Sequence, residues 1–480
     1  MAGPGSSPPA SPGAGADTPP PRAGAPAAEA AAALRSSAAA AHPLLRAPIL
    51  PTLLRMAAPG VVLVVFQSSV SIADTYFVGR LGTEPLAGLA LVFPMAMLLQ
   101  MLSAGAMGGG VSSAIARALG AGDADAARRL VVHALVIACG LGLLHTLLMR
   151  AAGAPIYRAL GGDGEVLAHA LAYSDVLFAG SALVWLANTL ASVLRGSGRM
   201  LLAAVPLMSA ALLHVPLSAG LVNGWWGLPQ LGIAGAGYAY ASAAGFAAAS
   251  GALLVFRRRS SLRPAAADLR LESRVFGEIL RVGALASMSA VQTVLTAVAL
   301  TGFVGRFGTA ALAGYGVGAR LELLQVPLVF AVGQALVPMV GTAVGARDAA
   351  RAKRVAWIGA RMAAVPCTAI ALLVFLQPGA WSGLFSSDPA VLAASSAYLR
   401  IVGPFYPVLG IGIALYFASL GAGRVLRPVL AATVRLAIAV GGGALVIAAG
   451  APLWAMFVVI AVAMVAYGAL TALAVTRTEW

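Results

Sequence analysis

Long apolar stretches alternate with short polar segments along almost the whole chain, from Ala57 to Val475. Each stretch holds about 20 residues or more, the length that an α-helix needs to cross the roughly 30 Å hydrocarbon layer of a membrane. The pattern therefore predicts an all-α membrane protein with twelve transmembrane helices. Their expected limits are 57–80, 86–118, 127–150, 167–196, 201–222, 232–257, 276–305, 312–344, 352–377, 392–420, 426–449 and 452–475.

Two segments interrupt the apolar pattern and divide the chain into domains. The first 50 residues are rich in Ala, Pro, Gly and Ser and cannot bury enough apolar surface to order themselves, which predicts a disordered cytoplasmic tail over 1–50. A basic stretch over 258–275 separates the spans into two groups of six. We therefore expect an N-lobe over 51–257, a cytoplasmic linker over 258–275, a C-lobe over 276–476 and a short tail over 477–480.

The two groups of six spans repeat one another in sequence. FVGRLGTEPLAG at 77–88 matches FVGRFGTAALAG at 303–314 in nine of twelve positions, an offset of 226 (303 − 77). GAGDADAARR at 120–129 and GARDAARAKR at 345–354 are 225 apart, so one residue slips within the second span of each half. Six spans per copy give both copies the same orientation, which predicts pseudo-symmetric parallel repeats. This plan is typical of transporters with alternating access, although channels and some enzymes are duplicated too.

The composition and the placement of charge indicate how the chain sits in a membrane. Hydrophobic residues make up 60% of the chain and charged residues 10%, which excludes a soluble domain. The net charge is +15, but the basic residues are not gathered on one face, so no nucleic-acid partner is expected. With the N-terminus inside, 25 of the 31 Lys and Arg fall toward cytoplasmic helix ends and five toward the others, with Arg320 within a span. This positive-inside bias predicts that both termini are cytoplasmic.

The chain lacks the residues that several energy sources and types of reaction would need. The chain's only lysine, Lys353, lies between Ala352 and Arg354, so no phosphate-binding loop is present. Cys139 and Cys367 lie in apolar spans without metal-ligand spacing and are expected to be buried core residues. No nucleophile has a recognisable partner, so we expect neither an enzyme nor a cofactor. Uphill transport would then draw on an ion gradient, which requires an ion-binding group inside the membrane.

Two acidic residues within the predicted spans are candidates for that group. Asp74 lies three and seven residues after Ser71 and Gln67, which a helix places on one face. Burial disfavours the charged form of a carboxylate, so Asp74 is predicted to load and release a proton, with a structural role as the alternative. Glu322 lies only two positions from Arg320 and must find another partner. A second proton site and half of a structural ion pair are both open for Glu322.

Two further polar residues lie inside apolar segments. Asp175 lies near the outer third of the fourth span and is expected to form an interhelical salt bridge. His214 is deep enough in the fifth span to titrate, but a core histidine with satisfied hydrogen bonds is the favoured interpretation.

The order and spacing of several motifs resemble the MATE family, the multidrug and toxic compound extrusion transporters of the MOP flippase superfamily. The likeness covers nearly the whole chain after the tail. It rests on Pro59, Gln67 and ADTYFVGRLG in the first span, GAGDADAARR after the second, LRGSGR after the fourth and HVPLSAGLVNGWWGLPQLGIAGAGYAYA across the fifth and sixth. The second half continues with YGVGARLELL, GARDAARAKRVAW and LFSSDPAVLAASSAYLRIVGP.

The resemblance implies two six-helix lobes around a V-shaped cleft and the export of amphipathic, often cationic organic compounds in exchange for protons or sodium. Asp74 is similar to the first-span aspartate that such transporters use for coupling, and Pro59 to the proline at which that helix bends. The cleft and hinge residues that we expect on this basis are Pro59, Gln67, Ser71, Asn188, His214, Tyr240 and Gln292.

The chain departs from the family pattern at several polar positions. Where many relatives carry an asparagine and a polar or acidic residue four positions later, this chain has His214 and Ser218. Tyr240 replaces a common threonine, and Gln292 lies near the position of a coupling glutamate in one branch of the family. A sodium cage of several oxygen ligands is incompletely supplied. We therefore expect proton coupling centred on Asp74, with no other cofactor than the proton-motive force.

Alternatives to proton-coupled multidrug export remain at this point. Sodium-coupled export is the less favoured one, and a flippase for a lipid-linked precursor would share the lobes but line its cleft with more basic residues. The expected setting is the inner membrane of a bacterium, with the bilayer and small organic substrates as partners and a monomer as the functional unit.

Overall fold

The computed structural model describes Gly3 and residues 42–480, apart from the side chain of Leu323. This part of the chain is helical and contains no strand. Eleven of its helices are long and apolar enough to cross a membrane, and two helices that meet at a 48° bend form a twelfth span. The predicted all-α fold with twelve transmembrane segments is confirmed. The spans are α1 Ile49–Gly79, α2 Thr83–Gly120, α3 Ala124–Ala159, α4 Gly164–Ala179 with Ser181–Gly196, α5 Met200–Asn223, α6 Ile233–Phe256, α7 Ser273–Gly305, α8 Thr309–Gly345, α9 Ala349–Leu376, α10 Pro389–Gly421, α11 Leu426–Ala448 and α12 Leu453–Arg477.

The helix limits agree with the predicted spans to within three residues at all but two ends. α1 begins eight residues earlier (57 − 49), and α3 ends nine residues later (159 − 150). At about 1.5 Å per residue, α1 is roughly 46 Å long and α3 roughly 54 Å, longer than the roughly 30 Å hydrocarbon layer. Apolar patterning marks the membrane crossing, whereas the helices continue into the interfaces.

Part of the predicted tail is ordered. The tail prediction for residues 1–41 lies outside the described residues, except for Gly3. Beyond it, Pro43–Arg46 forms a short helix, and the prediction that the tail continues to residue 50 is wrong. The reason is a contact with the C-lobe: Arg351 Nη2 donates hydrogen bonds to the carbonyl oxygens of Leu44 and Ala47, at 2.8 and 2.6 Å.

The structural elements recur at the offsets found in the sequence. Asp123 caps the start of α3 by accepting a hydrogen bond from the backbone of Ala126, and Asp348 caps α9 by accepting one from Arg351, both at 2.8 Å. A Cβ added to Gly120 would lie 2.1 Å from the carbonyl oxygen of Thr342.

The two lobes meet through a reciprocal contact. A Cβ added to Gly345 would lie 2.1 Å from the carbonyl oxygen of Arg117, which mirrors the contact of Gly120 with Thr342. Each residue of one contact is 225 positions from its equivalent in the other (345 − 120 and 342 − 117). When the same contact occurs twice, with the roles of the two repeats exchanged, the repeats are related by a two-fold axis. The axis therefore passes between α2 and α8 where both helices end.

The one-residue slip in the repeat coincides with a π-helical segment. α2 spans 38 residues and α8 spans 37, and within α2 the residues Met101–Met107 form a π-helix. A π segment accommodates one extra residue within an otherwise regular helix. The extra residue of the N-lobe is therefore located at Met101–Met107.

The lobes are joined at the end of the bundle where α1 begins and α2 ends, which we call the closed end. Here Ser113 of α2 donates hydrogen bonds to the carbonyl oxygens of Leu420 and Gly421 at the end of α10, at 2.6 and 2.9 Å. Gly110 of α2 faces Gly283 of α7, whose backbone nitrogen would be 3.1 Å from an added Cβ. The expected V-shaped cleft would open away from these contacts, at the end of the bundle where α1 ends and α2 begins.

Helix α1 packs against both lobes. Near its start, Met56 and Ala57 join the buried cluster that contains Leu336 of α8, and a Cβ added to Gly60 would lie 3.2 Å from Ala331 Cβ. Near its end, Val78 belongs to the core cluster of the N-lobe. A separation of the lobes at the closed end must therefore bend α1 or detach one of its halves.

Four polar or sulfur-containing residues complete the comparison with the sequence. The prediction that Cys139 is buried is wrong, because its side chain is exposed on α3, whereas Cys367 is buried. The salt bridge of Asp175 is confirmed, with Arg150 of α3 as its partner at 3.3 Å. Arg435 lies nine residues inside α11 (435 − 426), which is about 14 Å along the helix and deeper than a helix end.

Candidate functional site

Asp74 lies in a buried polar site between α1 and α5. Its side chain is 9% exposed, and its Oδ1 is 2.8 Å from His214 Nε2 and accepts a hydrogen bond from Ser218 Oγ at 2.7 Å. His214 and Ser218 are four residues apart on α5, so a helix places them on one face. Two of the positions at which the chain departs from the family pattern therefore converge on the carboxylate of Asp74.

A second layer of polar residues surrounds this site. The ring of Tyr240 on α6 meets the imidazole of His214 edge-on, with 6.1 Å between ring centroids. Gln100 Nε2 on α2 donates to the Tyr240 hydroxyl at 3.1 Å. Asn188 Nδ2 on α4 donates to Gln100 Oε1 at 2.7 Å and to Ser103 Oγ at 2.9 Å. Tyr240 and Asn188 thus belong to one network that reaches from α4 to the Asp74 site.

Sequence reasoning missed Gln100 and Ser103. Gln100 directly precedes the π segment Met101–Met107, and Ser103 lies within it. The slip from 226 to 225 was the only signal in the sequence that this part of α2 is unusual. π segments occur often at functional sites, because the extra residue redirects the side chains around it.

Two predicted cleft residues on α1 do not join the Asp74 site. Gln67 and Ser71 are exposed, whereas Asp74 is buried. The backbone carbonyl of Ser71 accepts a hydrogen bond from Thr75 Oγ1 at 2.8 Å. Pro59 lies inside α1, which continues through it as one helix. The structure therefore does not bring Gln67 or Ser71 into contact with the carboxylate.

Gln292 lies in the C-lobe, away from the Asp74 site. Its side chain is buried, and its Nε2 donates to Thr433 Oγ1 of α11 at 2.8 Å. Its Oε1 is buried without a hydrogen-bond partner among the described residues. The amide links α7 to α11.

Glu322 forms the centre of a separate polar cluster in the C-lobe. The Tyr398 hydroxyl of α10 donates a hydrogen bond to Glu322 Oε1, and the guanidinium of Arg435 lies close enough to act on its charge. Arg435 in turn lies over the ring of Tyr467, 5.7 Å from its centroid. Arg320 points elsewhere, as predicted, and lies over Phe385 at 5.0 Å.

The residues of the Asp74 site supply few ligands for a cation. Asp74 and Ser218 offer oxygen atoms and His214 a ring nitrogen, whereas a hard cation such as sodium prefers a cage of several oxygens. Within residues 42–480, no three His, Cys, Asp or Glu residues lie together as metal ligands would. The contacts that the structure shows at this site are hydrogen bonds to one carboxylate.

Comparison with known proteins identifies relatives over most of the chain. The family model described as MatE matches residues 59–219 and 284–445, two regions that begin 225 residues apart. A protein named FAD transporter from Shewanella oneidensis is 29% identical over 379 residues, covering 78% of this chain and 82% of that protein. A protein named probable multidrug resistance protein NorM from Thermotoga maritima is 26% identical over 383 residues, covering 79% and 81%.

Solved structures share the fold. A crystal structure of a MATE protein in the bent conformation superposes with a TM-score of 0.83 at 24% identity, over 90% of this chain and 95% of that one. A multidrug resistance MATE family transporter in an outward-facing conformation superposes with a TM-score of 0.82 at 23% identity, over 91% and 98%. Because the MatE model covers 323 of the 480 residues (161 + 162), the chain belongs to the MatE family of membrane transporters.

Proposed function

We propose that the protein exports amphipathic organic compounds, cationic ones in particular, in exchange for protons, and that Asp74 is the coupling group. One observation carries this proposal: the buried carboxylate of Asp74 attaches the second half of α1 to α5, while the first half of α1 packs against the C-lobe. A change in the proton content of one side chain thereby acts on a helix that contacts both lobes.

Protonation of Asp74 changes the strength of the α1 to α5 attachment. A carboxylate accepts charge-assisted hydrogen bonds that are about twice as strong as neutral ones. The bonds from His214 and Ser218 therefore weaken when Asp74 takes up a proton. Pro59 removes one backbone hydrogen bond within α1, which lowers the cost of bending the helix there. Two shapes of α1 then differ in their affinity for a proton.

Exchange follows if substrate and proton prefer different states of the cleft. A charged Asp74 attracts a cationic substrate, and a protonated one does not, so each ligand lowers the affinity for the other. Coupling needs no more than this difference in affinity between two states. The Tyr240 ring, which meets the His214 imidazole edge-on beside Asp74, adds a favourable contact for an organic cation.

The distribution of positive charge supports an orientation in a bacterial inner membrane. Arg128, Arg351 and the run Arg257–Arg259 lie at the closed end, which the positive-inside bias assigns to the cytoplasm. With both termini cytoplasmic, the cleft faces the outside, the state in which substrate leaves and a proton enters. We take the monomer as the transporting unit, because one chain contains both lobes.

Flux measurements in proteoliposomes test this function. With purified protein and ethidium as the probe, a pH gradient at equal sodium concentrations should drive ethidium transport, and a sodium gradient at equal pH should not. Transport driven by the sodium gradient alone would show that transport is coupled to sodium and not to protons. Transport of a lipid-linked oligosaccharide precursor without ethidium flux would favour the flippase alternative.

A second substrate class is favoured by one relative and one residue. The relative named a FAD transporter is 29% identical, and FAD carries two negative phosphates. Arg435 provides a guanidinium at depth in the C-lobe, which was not expected from the sequence. FAD added to the same flux assay as a competitor of ethidium separates the two classes, because a protein that transports FAD would lose ethidium flux.

Replacing Glu322 with Gln should separate the two roles left open for this residue. We expect a lower melting temperature, because the negative charge on which Arg435 acts is lost while the amide oxygen still accepts from Tyr398. At each pH, the rate of ethidium flux should stay within about twofold of the wild-type rate. This corresponds to a change in activation free energy of under about 0.5 kcal/mol. Loss of pH-driven flux in a variant with an unchanged melting temperature would instead make Glu322 a coupling residue.

A further inference from the structure

His214 has an unusual environment for a histidine in a membrane core. Its side chain is 2% exposed, and Nε2 lies 2.8 Å from Asp74 Oδ1. Its other ring nitrogen, Nδ1, is buried and has no hydrogen-bond partner among the described residues. A buried polar atom without a partner costs free energy, so a histidine retained only for packing would be poorly placed here. The expectation of a core histidine with satisfied hydrogen bonds holds for Nε2 and not for Nδ1.

We propose that Asp74 and His214 form one proton-binding unit, in which the proton that couples transport is shared between the carboxylate and the imidazole. This inference rests on the proposed function and adds a second residue to its coupling site. His214 is in this view a titrating partner of Asp74, whereas Ser218 is a hydrogen-bond donor only.

Counting protons shows what His214 adds. In the unloaded pair, Asp74 is a carboxylate and His214 is neutral, with its proton on Nε2 donated to Oδ1 and a lone pair on Nδ1. The loaded pair holds one more proton, either on Nδ1 as an imidazolium or on the carboxyl group. Both arrangements contain the same atoms and differ in the position of one proton, so the additional proton belongs to the pair. An asparagine at position 214 would donate a similar hydrogen bond but could not hold the additional proton.

The groups around His214 do not supply another charge. Asp74 is its acidic neighbour on α1 and Ser218 its neutral neighbour on α5. Tyr240 faces it from α6, and Tyr173 on α4 is buried close enough to Asp74 to interact with its charge. Within the described residues, Asp74 is the one acidic side chain with an oxygen within 4 Å of an imidazole nitrogen of His214. The proton content of this pair therefore sets the net charge of the site.

Sharing the proton explains how movement of α1 can change proton affinity. An imidazole takes up a proton near pH 6.5 in water and an isolated carboxyl near pH 4, and a neighbouring carboxylate favours the imidazolium. The hydrogen bond between Asp74 and His214 holds this pair together while α1 lies against α5. When α1 moves away, carboxylate and imidazole separate, and the proton affinity of the site changes. The site then loads in one shape of α1 and releases in the other.

The pH profile of ethidium flux in proteoliposomes tests the pair. His214→Asn should keep transport at acidic pH but move the half-maximal pH at least about one unit to lower pH, because only a carboxyl remains. The matched variant Ser218→Ala removes the other donor to Oδ1 without removing a titratable group. It should leave the half-maximal pH unchanged or move it to higher pH, the opposite direction.

The outcomes distinguish this inference from the proposed function. If Asp74→Asn abolishes pH-driven flux but His214→Asn has the wild-type pH profile, the shared proton is overturned and Asp74 remains the coupling group. If Asp74→Asn leaves pH-driven flux intact, the proposed function fails together with the pair.

A second measurement does not require a folded His214 variant or a transported probe. In nitrogen-15 spectra of wild-type protein labelled at its five histidines and held in nanodiscs, one histidine should titrate between pH 5 and 8 and shift its midpoint in Asp74→Asn. The absence of any histidine signal that responds to Asp74→Asn would overturn the inference.

Discussion

Asp74→Asn should reduce ethidium transport driven by a pH gradient by about 100-fold, the upper range of coupling energies between two ligand sites. The substitution keeps the shape of the side chain, and its amide oxygen still accepts hydrogen bonds from His214 and Ser218. What it removes is the change between charged and neutral forms. The rate of ethidium flux into proteoliposomes under an imposed pH gradient measures the effect.

Asp175→Asn is the matched control for this change. It also replaces a membrane-protein aspartate with asparagine, but Asp175 is 47% exposed and pairs with Arg150 on the outside of the N-lobe. Its loss should leave flux within about twofold of wild type, since exposed ion pairs contribute roughly 0 to 1 kcal/mol. Equal flux in Asp74→Asn and wild type would remove Asp74 from the mechanism.

A disulfide across the closed end should stop transport completely. A Cβ built on Gly341 of α8 lies 2.8 Å from Ala116 Cβ of α2, so the double variant Ala116→Cys/Gly341→Cys needs only a small separation to reach disulfide geometry. The bond joins the lobes where they must part for the cleft to open inward. Oxidised protein should transport ethidium no faster than liposomes without protein, and reduction should restore the rate.

The control disulfide joins two helices of the same lobe. A Cβ built on Gly180 of α4 lies 2.8 Å from Ala241 Cβ of α6, the same spacing as at the closed end. Both pairs are introduced after replacing Cys139 and Cys367 with Ser. The pair Gly180→Cys/Ala241→Cys should transport equally well before and after oxidation. Full transport by the oxidised closed-end pair would mean that the lobes need not separate there.

The sequence was sufficient for the fold because the membrane imposes its own pattern. Apolar length located all twelve spans, and acidic caps such as Asp123 and Asp348 recur at the offset read from the repeat. Apolar length could not locate the start of α1 at Ile49, because the helix extends beyond the membrane. The contact of Leu44 and Ala47 with Arg351 of the C-lobe could not be predicted either, because it depends on packing between distant parts of the chain.

The candidate site was only partly predictable, because its residues come from different helices. The spacing of His214 and Ser218 placed them on one face of α5, but nothing in the sequence states that this face meets Asp74. Helical spacing also grouped Gln67 and Ser71 with Asp74. In the structure, Asp74 is buried, whereas Gln67 and Ser71 are exposed.

Partners across helices were equally out of reach in the C-lobe. The sequence correctly predicted that Arg320 does not pair with Glu322. It could not predict the partners Tyr398 and Arg435, because they lie on α10 and α11. The π segment in α2 left a visible trace, the change of offset from 226 to 225, without showing that Gln100 and Ser103 are polar partners of Asn188.

The proposed exchange of substrate for protons is tested most directly by running the transporter in reverse. Proteoliposomes with equal pH and equal sodium on both sides receive an ethidium gradient, and a dye inside records their pH. Because coupling between two ligands is reciprocal, ethidium moving down its gradient should drive protons the other way and change the internal pH, and the change should vanish in Asp74→Asn. Ethidium movement with a constant internal pH in the wild-type protein would contradict the account.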